Sequence, residues 1–252
     1  MRVLFLLILF LPYFLYSQRN IPKNLPKYDE VKLHFGMALG GNTMRATVHN
    51  APNFYQLDSI YSVECIPQVG FNINIVSNFN INKYFSIRFL PGLNFGQRNM
   101  EYLYFTGTRY KRHTMQIPST YLDFPILFQL KSERLNNFRM YLVGGGSFKW
   151  DLAAQKNIDA EERPKIRFQP YVYSYEIGAG ADFFLQYFKF AIEAKFTVGV
   201  NNVIVYDNSQ FTNSMESLTP KMFSITLLFE GSDSKGGGLI SKLFNKIFHR
   251  KQ

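Results

Sequence analysis

Strict alternation of apolar and polar side chains is the feature that most constrains how this chain can fold. It is clearest over residues 69–79, VGFNINIVSNF, where every second residue from Val69 to Ile75 is apolar and the residues between them are Gly or Asn. A β-strand points successive side chains to opposite faces, so this stretch predicts a strand with one apolar and one polar face. The apolar face packs either into the core of a soluble β-domain or against lipid, and the two cases imply different proteins.

The alternation occurs in eight segments, which we interpret as eight strands. They cover about residues 33–40, 69–79, 85–96, 121–130, 138–149, 171–183, 188–199 and 223–230. The predicted connections alternate in length, with short ones near 80–83, 132–137 and 186–187 and long ones near 49–64, 99–115, 154–167 and 203–219. An even strand number, with short links at one end and long links at the other, is typical of an outer-membrane β-barrel.

The composition of the two faces favours a barrel that spans a membrane. The polar face is made of Gly, Asn, Ser and scattered charge, as a narrow lumen requires, and the other face carries Phe, Tyr and Ile. We therefore predict an all-β fold: an eight-stranded antiparallel transmembrane β-barrel with a short C-terminal amphipathic helix. A soluble, lipocalin-like barrel would place the apolar faces inward around a ligand, and periodicity alone fixes the alternation but not its direction.

The N-terminus predicts export from the cytoplasm. Arg2 is followed by an apolar run from Val3 to Leu15 and then by Tyr16 and Ser17, which is the layout of a secretory signal peptide. The run is short for a spanning helix of about 20 residues, although an uncleaved anchor is the alternative. The predicted organisation is a signal peptide over 1–18, an N-terminal periplasmic segment over 19–31, an outer-membrane barrel over 32–231 and a basic amphipathic periplasmic tail over 232–252.

Charged residues on the predicted polar faces are close to balanced in sign. They are Arg88, Asp123, Arg139, Lys149, Glu176, Asp182, Glu193 and Lys195. Buried charges are retained in proteins only when they are paired. We therefore expect a structural salt-bridge network that fills the lumen. The functional alternative is a proton or ion path, for which eight strands leave little room.

The sequence offers little for catalysis, metal binding or nucleic-acid binding. None of the four histidines lies near a serine in a nucleophile-elbow context and no metal-ligand spacing occurs, so we predict no catalytic residue, no metal and no cofactor. A lipid-modifying enzyme would require His34 within hydrogen-bond reach of a serine and a carboxylate. The chain has 28 Lys and Arg against 18 Asp and Glu, but they are scattered except in the last few residues, so no nucleic-acid partner is predicted. The single cysteine, Cys65, excludes an internal disulfide.

Residues 239–252, LISKLFNKIFHRKQ, predict a basic amphipathic helix because their apolar residues recur at helical spacing. The apolar residues are Leu239, Ile240, Leu243, Phe244, Ile247 and Phe248, and the basic ones are Lys242, Lys246, Arg250 and Lys251. Such a helix suits contact with a membrane surface or with a groove on a partner. The alternatives are a helix that caps the periplasmic mouth of the barrel, or a frayed tail.

Two stretches resemble a known family of outer-membrane barrels. Residues 121–159, YLDFPILFQLKSERLNNFRMYLVGGGSFKWDLAAQKNID, and 173–200, YSYEIGAGADFFLQYFKFAIEAKFTVGV, resemble the family that includes PorT, called SprT in gliding bacteria. YLDFPILFQL is similar to the wider barrel superfamily, whereas SERLNNFRMYLVGGGSFKWDLA and YFKFAIEAKF are more PorT-like. The resemblance covers about residues 30–230 and does not extend to the basic tail.

The resemblance implies a component of the type IX secretion system of Bacteroidota, which exports proteins with C-terminal sorting domains. Its partners would be outer-membrane lipid and other secretion components in the outer membrane and periplasm, and in some species it would support gliding. It implies no catalytic or binding residue. We expect contacts through the tail and through external loops rich in aromatic residues, namely Tyr102, Tyr104, Phe105 and Tyr110. The alternative is a general small barrel that binds or transports a small molecule, which would need an open lumen.

Overall fold

The alternating segments form a closed antiparallel barrel in a computed structural model of the chain. The structure describes residues 22–52, 60–105, 108–154, 167–206, 212 and 214–231. The predicted signal peptide (1–18) and the predicted helix of the tail (239–252) lie outside these residues. A short 3-10 helix covers Tyr28–Glu30, and the strands are β1 (Leu33–Asn50), β2 (Ile60–Asn80), β3 (Phe85–Phe89), β4 (Gly92–Phe105), β5 (Tyr110–Lys131), β6 (Phe138–Asp151), β7 (Arg167–Phe168), β8 (Tyr171–Phe184), β9 (Phe188–Gly199), β10 (Ile204–Val205) and β11 (Met215–Gly231).

Eight wall strands close into a ring, which confirms the predicted eight-stranded antiparallel barrel, while the predicted C-terminal helix has no support among the described residues. The order around the ring is β1, β2, β3/β4, β5, β6, β8, β9 and β11, where β3 and β4 together form one wall strand. Each wall strand pairs antiparallel with the next. Pairing between β11 and β1 closes the ring, so the barrel has no free edge around this circuit. Among the residues that the structure describes, the remaining strands, β7 and β10, pair with each other in a separate two-stranded sheet.

Pro91 divides the third predicted strand into β3 and β4. Proline has no N–H and cannot donate to a ladder at this point. The wall nevertheless continues across the break, because the Pro91 carbonyl accepts a bond from the Ile75 N–H at 2.9 Å and the Leu90 N–H donates to the Pro125 carbonyl at 3.3 Å. The alternation keeps its phase, since Phe89 faces outward and Leu90 is buried.

The apolar faces point outward, so the soluble, lipocalin-like alternative is wrong. On β2, Val69 is 83% exposed and Ile75 is 62% exposed, whereas Asn72 and Asn74 on the opposite face are buried. Phe and Ile side chains on the outside of a closed barrel dissolve in hydrocarbon, and polar side chains fill the narrow interior. No helix among the described residues is long and apolar enough to span a membrane.

The connections separate the barrel into a short-turn end and a long-connection end. The turns at residues 81–84, 132–137 and 185–187 lie at the same end as the start of β1 and the end of β11. Toward the other end, the strands continue beyond the predicted bounds, and residues 60–64, 99–105, 110–115 and 215–219 are strands rather than loops. Apolar alternation marks only the lipid-facing part of each strand, whereas backbone pairing continues past it.

This extension corrects one prediction about aromatic residues. Tyr102, predicted on an exposed loop, lies on the inner face of β4 and is fully buried. Tyr104 and Phe105, at the end of β4, are partly buried, and Tyr110 begins β5 with 61% of its surface exposed. Phe105 and Tyr110 instead pack together with Tyr61, with ring centroids 5.1–6.2 Å apart.

Candidate functional site

Six basic and six acidic side chains lie buried among the described residues of the barrel. Each sits on the inner face of its strand, so the alternation of the wall strands carries it into the lumen. They are Arg88, Arg98, Lys131, Arg139, Lys149 and Lys189, with Asp123, Asp151, Glu176, Asp182, Glu193 and Glu230. Because the two signs are equal in number, the interior can neutralise its own charge.

The lower ionic cluster, near the short-turn end, is organised by Arg88 and Lys189. Arg88 donates to Glu193 at 2.7 Å and reaches Glu230 at 3.4 Å. Lys189 pairs with Glu230 at 2.9 Å, and the Tyr141 hydroxyl donates to Glu193 at 2.9 Å. Each carboxylate therefore has a cation and a hydroxyl or second cation beside it, which offsets the cost of removing it from water.

Asp182 extends the lower ionic cluster across two more strands. It accepts two bonds from the Arg139 guanidinium, at 3.1 and 3.0 Å, and lies 3.4 Å from the Lys189 ammonium. Arginine bound through two nitrogens to one carboxylate is among the stronger side-chain contacts in proteins. The cluster therefore links β6, β8 and β9 at one level of the lumen.

The N-terminal segment, residues 22–31, enters the short-turn mouth and completes the lower ionic cluster. Asp29 accepts a bond from Arg139 at 2.7 Å, and the buried Tyr28 hydroxyl donates to Glu230 at 2.8 Å. Burial raises the pKa of the Tyr28 hydroxyl well above its usual value, and the neighbouring Glu230 carboxylate raises it further. The segment thus supplies a neutral hydroxyl that donates to the Glu230 carboxylate of the barrel, and a carboxylate, Asp29, that accepts from the Arg139 guanidinium.

A second group of contacts holds the same segment to the turn between β5 and β6. Arg134 donates to the carbonyl oxygens of Asn24 and Leu25, and its guanidinium lies 3.7 Å from the centroid of the Phe184 ring. The Asn24 N–H donates to the Asn137 side-chain oxygen at 2.8 Å. With these contacts the segment closes the short-turn mouth.

His34 does not have the surroundings that a lipid-modifying enzyme would require. Its ring stacks on Tyr28 with centroids 3.8 Å apart, and its Nε2 lies 3.0 and 3.1 Å from the carbonyl oxygens of Tyr28 and Val31. Among the described residues, none of its side-chain hydrogen bonds goes to a serine or a carboxylate. The same part of the chain has no group of three or more His, Cys, Asp or Glu placed to hold a metal ion.

The upper ionic cluster lies further from the short-turn end and centres on Lys149. Lys149 pairs with Asp123 and, at 3.0 Å, with Glu176. Lys195, with 11% of its side chain exposed, reaches Glu176 at 2.7 Å. The Asn94 amide donates to Asp123 at 2.9 Å. The eight charged residues singled out by the sequence are thus divided between the two clusters.

Sequence analysis missed several members of the buried set. They are Arg98, Lys131, Asp151, Lys189 and Glu230, with Tyr28 and Asp29 from the N-terminal segment. Lys189 and Glu230 alternate with apolar residues in predicted strands, so the pattern itself could have identified them. Arg98 and Asp151 lie just beyond predicted strand ends, and the N-terminal segment has no periodicity to mark it.

An apolar cap fills the lumen toward the long-connection end. It contains five of the chain's eight methionines. Its members are Met44, Ala46, Ile60, Val63, Met100, Tyr102, Met115, Tyr121, Phe168, Val172, Val203, Ile204, Met215, Leu218 and Met222. Methionine is unbranched and flexible and fills irregular gaps well, which suits the space left where β7 and β10 fold into the barrel.

The sequence also matches a family model described as an outer membrane protein beta-barrel domain, over residues 17–205. The chain belongs to this outer-membrane barrel family. Membership locates the protein in the outer membrane, where the apolar outer faces of the barrel contact lipid. A comparison with curated proteins finds no match.

Several solved structures of outer-membrane proteins are similar to this chain, each at low sequence identity. OprG from Pseudomonas aeruginosa is 8% identical, over 79% of this chain and 94% of that chain, with a TM-score of 0.42. Neisserial surface protein A is 9% identical, over 77% and 96%, with a TM-score of 0.41. AlkL in lipid bilayers is 8% identical, over 88% and 98%, with a TM-score of 0.40.

Proposed function

We propose that this barrel is a non-enzymatic component of the type IX secretion system, needed for export of proteins with C-terminal sorting domains and, in some species, for gliding. The resemblance of residues 121–159 and 173–200 to PorT supports this assignment. In this role the chain acts through contacts with other secretion components in the outer membrane and periplasm. It uses no metal or other cofactor.

The filled lumen is the observation that carries an accessory role rather than a conducting one. The N-terminal segment and the lower ionic cluster occupy the short-turn end, and the apolar cap occupies the other end. An eight-stranded barrel is only wide enough for side chains to fill it, so a polypeptide cannot pass. A separate, larger channel therefore carries the cargo, and this chain works through its outer surfaces.

In this proposal the buried charges are structural. Arg88, Asp123, Arg139, Lys149, Glu176, Asp182, Glu193 and Lys195 each contact at least one partner of opposite sign inside the lumen, in most cases on the neighbouring strand. Such pairs fix the register of neighbouring strands, since a changed register would leave charges buried without partners. Their function is to hold a rigid barrel whose surfaces are presented to partners.

We assign the short-turn end to the periplasm, because outer-membrane barrels have short periplasmic turns. Cleavage near residue 18 then leaves the segment 19–31 and the tail 232–252 on the periplasmic side. The tail provides the second contact surface, with its apolar face (Leu239, Ile240, Leu243, Phe244, Ile247, Phe248) and its basic residues (Lys242, Lys246, Arg250, Lys251) against lipid or a periplasmic partner.

A deletion strain tests the proposal directly. We expect proteins with C-terminal sorting domains to accumulate in the periplasm when the gene is deleted, and secretion to return with the full-length chain. A copy ending after Gly231 keeps every barrel strand and removes only the tail. If that copy fails to rescue, the tail is the docking element, whereas rescue assigns the function to the barrel and its long connections. Normal secretion in the deletion strain would reject the assignment and favour the small-molecule alternative.

A further inference from the structure

Two cations lie side by side on the outer face of the barrel, where β1 pairs with β11. Arg45 and Lys221 are register partners in that ladder. The residues adjacent to them, Met44 and Met222, are buried inside the barrel, so alternation turns both cations outward. Arg45 is exposed and Lys221 is half-buried. Residues that face each other across an antiparallel pair have Cβ atoms about 4.5–5.5 Å apart, so two positive charges lie close together on this wall.

The described part of the chain does not neutralise this pair of cations. Its ion pairs are made by other basic side chains, which are Arg88, Arg98, Arg112, Arg139, Lys149, Lys189 and Lys195. The outward residues two positions along each strand are uncharged, namely Thr43, Thr47, Thr219 and Phe223. Like charges directly opposite each other in adjacent strands are destabilising, so an anion bound between Arg45 and Lys221 would stabilise the wall.

The cation pair lies where the wall leaves the bilayer at the long-connection end. Arg45 is twelve positions after Leu33, the first residue of β1, and Lys221 is ten positions before Gly231, the last residue of β11. A transmembrane β-strand needs about 9–11 residues. On β11 the outward side chains on the membrane side of Lys221 are all large and apolar, namely Phe223, Ile225, Leu227 and Phe229. Arg45 and Lys221 are therefore at the level of the lipid head groups, where phosphate groups lie.

A shallow groove runs along the outer face of β1 from the cation pair toward the middle of the membrane. Its floor is formed by the small residues Thr43 and Gly41. A Cβ on Gly41 would meet, among the described residues, only the Gly70 carbonyl oxygen at 3.9 Å, so the floor is low. The walls are exposed apolar side chains, the register partners of the floor: Ile225 and Phe223 on β11, and Phe71 and Val69 on β2. A groove with a small floor and apolar walls fits an acyl chain.

We propose that this surface binds one phosphate-bearing lipid, with the phosphate between Arg45 and Lys221 and an acyl chain in the groove over Gly41. Phosphate oxygens accept charge-assisted hydrogen bonds from both cations. Four residues separate Arg45 from Gly41, about 13 Å along the strand, which is enough to place a head group at one end and the upper acyl chain at the other. The cations alone would suit any anion and the groove alone any acyl chain, so together they select an anionic lipid. The inference does not depend on a role in secretion.

Native mass spectrometry of the purified full-length chain tests the site. The protein is released from dodecyl maltoside micelles that contain equal amounts of phosphatidylglycerol and phosphatidylcholine with the same acyl chains. We expect one phosphatidylglycerol to be retained in preference to phosphatidylcholine. Arg45→Gln with Lys221→Gln should lower the retained fraction several-fold. Lys111→Gln with Arg112→Gln is the matched control, because it removes two exposed cations from β5, and it should retain lipid like the wild type.

A third variant separates a lipid from a free anion. Gly41→Leu fills the groove and leaves both cations in place, and the open space at this position lets the barrel fold. We expect it to retain less phosphatidylglycerol than the wild type, and inorganic phosphate to compete poorly for the site. Equal retention of the two lipids by the wild type, or equal retention by the cation variant and its control, overturns the proposal. It is also overturned if phosphate displaces the lipid and Gly41→Leu has no effect, since the site then binds a free anion.

Discussion

Arg88 contacts two buried carboxylates, and its removal leaves one of them, Glu193, without a cation. Replacing it in Arg88→Met keeps the bulk of the side chain but removes the cation 2.7 Å from Glu193, whereas Glu230 keeps its ion pair with Lys189. Removing one partner of a buried ion pair costs about 3–5 kcal/mol. We expect a fall of that size in the free energy of unfolding, measured by urea titration in lipid vesicles.

The double variant Arg88→Met with Glu193→Gln separates lost pairing from lost packing. It removes the charge of Glu193, the carboxylate that Arg88→Met leaves without a cation, so it should be more stable than Arg88→Met alone. Arg112→Met is the control, since its pair with Glu101 is 3.6 Å long and its side chain is largely exposed; it should change stability by less than about 0.5 kcal/mol. Equal losses in the single and double variants would contradict a role for charge pairing.

Tyr28 predicts a pH dependence of the contact made by the N-terminal segment. Its pKa is raised in the folded state, by burial first and by Glu230 next. A group with a raised folded pKa stabilises fully below its unfolded pKa, about 10 for tyrosine, and this contribution is lost as the pH rises through the folded value. The stability difference between wild type and Tyr28→Phe should therefore be constant from pH 6 to about 9 and shift against the wild type above about 10. A difference that changes between pH 6 and 8 would contradict this.

At the scale of single residues, the sequence predicts which face of a strand a side chain occupies but not which residue that side chain contacts. Alternation placed Arg88 and Glu193 on polar faces because each sits between outward apolar residues. Their contact joins positions 105 residues apart and depends on how the ring closes. Tyr28 is beyond such prediction, since only the tertiary position of its segment brings the hydroxyl to Glu230.

At the scale of the strand, the three consecutive glycines of β6 differ in what they allow. A Cβ at Gly145, on the inner face, would lie 2.1 Å from the Ile126 carbonyl oxygen, whereas one at Gly144, on the outer face, would meet only the Glu176 carbonyl at 3.8 Å. Overpacking that moves backbone costs about 1–3 kcal/mol. We expect Gly145→Ala to lower the unfolding midpoint in a gel heat-modifiability assay and Gly144→Ala to leave it nearly unchanged. Equal behaviour of the two variants would rule out close packing of β6 against β5.

The bounds of the strands show which physical signal the sequence carries. At the short-turn end, predicted and observed bounds agree within a few residues, because lipid contact makes the alternation clear up to the turn. At the other end, β2, β5 and β11 extend 8 to 11 residues further than predicted. Their outer faces there are polar, so the amphipathic pattern ends while the backbone ladders, such as Met100 with Met115, continue.

At the scale of the whole molecule, the two ends of the lumen are filled by chemically different sets of residues. Ion pairs and the N-terminal segment occupy one end, and a methionine-rich cap occupies the other. The lumen also holds the upper ionic cluster, a small apolar cluster that includes Val76 and Leu127, and buried amides such as Asn72, which donates to Asn74 at 2.9 Å. The outer surface, rather than the lumen, is therefore the part of the protein able to act on a macromolecule.

This closure predicts that the protein does not conduct. Reconstituted in planar bilayers, the full-length chain should give no single-channel steps, and vesicles containing it should not swell in small sugars. A variant lacking residues 22–31 removes only the segment at the short-turn mouth, so it should also be closed, because Arg88, the upper ionic cluster and the apolar cap still fill the lumen. Conductance in that variant alone would assign the seal to the N-terminal segment. Conductance in the wild type would show an open path through the lumen. Such a path is required for small-molecule transport but not for a secretion component that acts through surface contacts, so this result would favour the transport alternative.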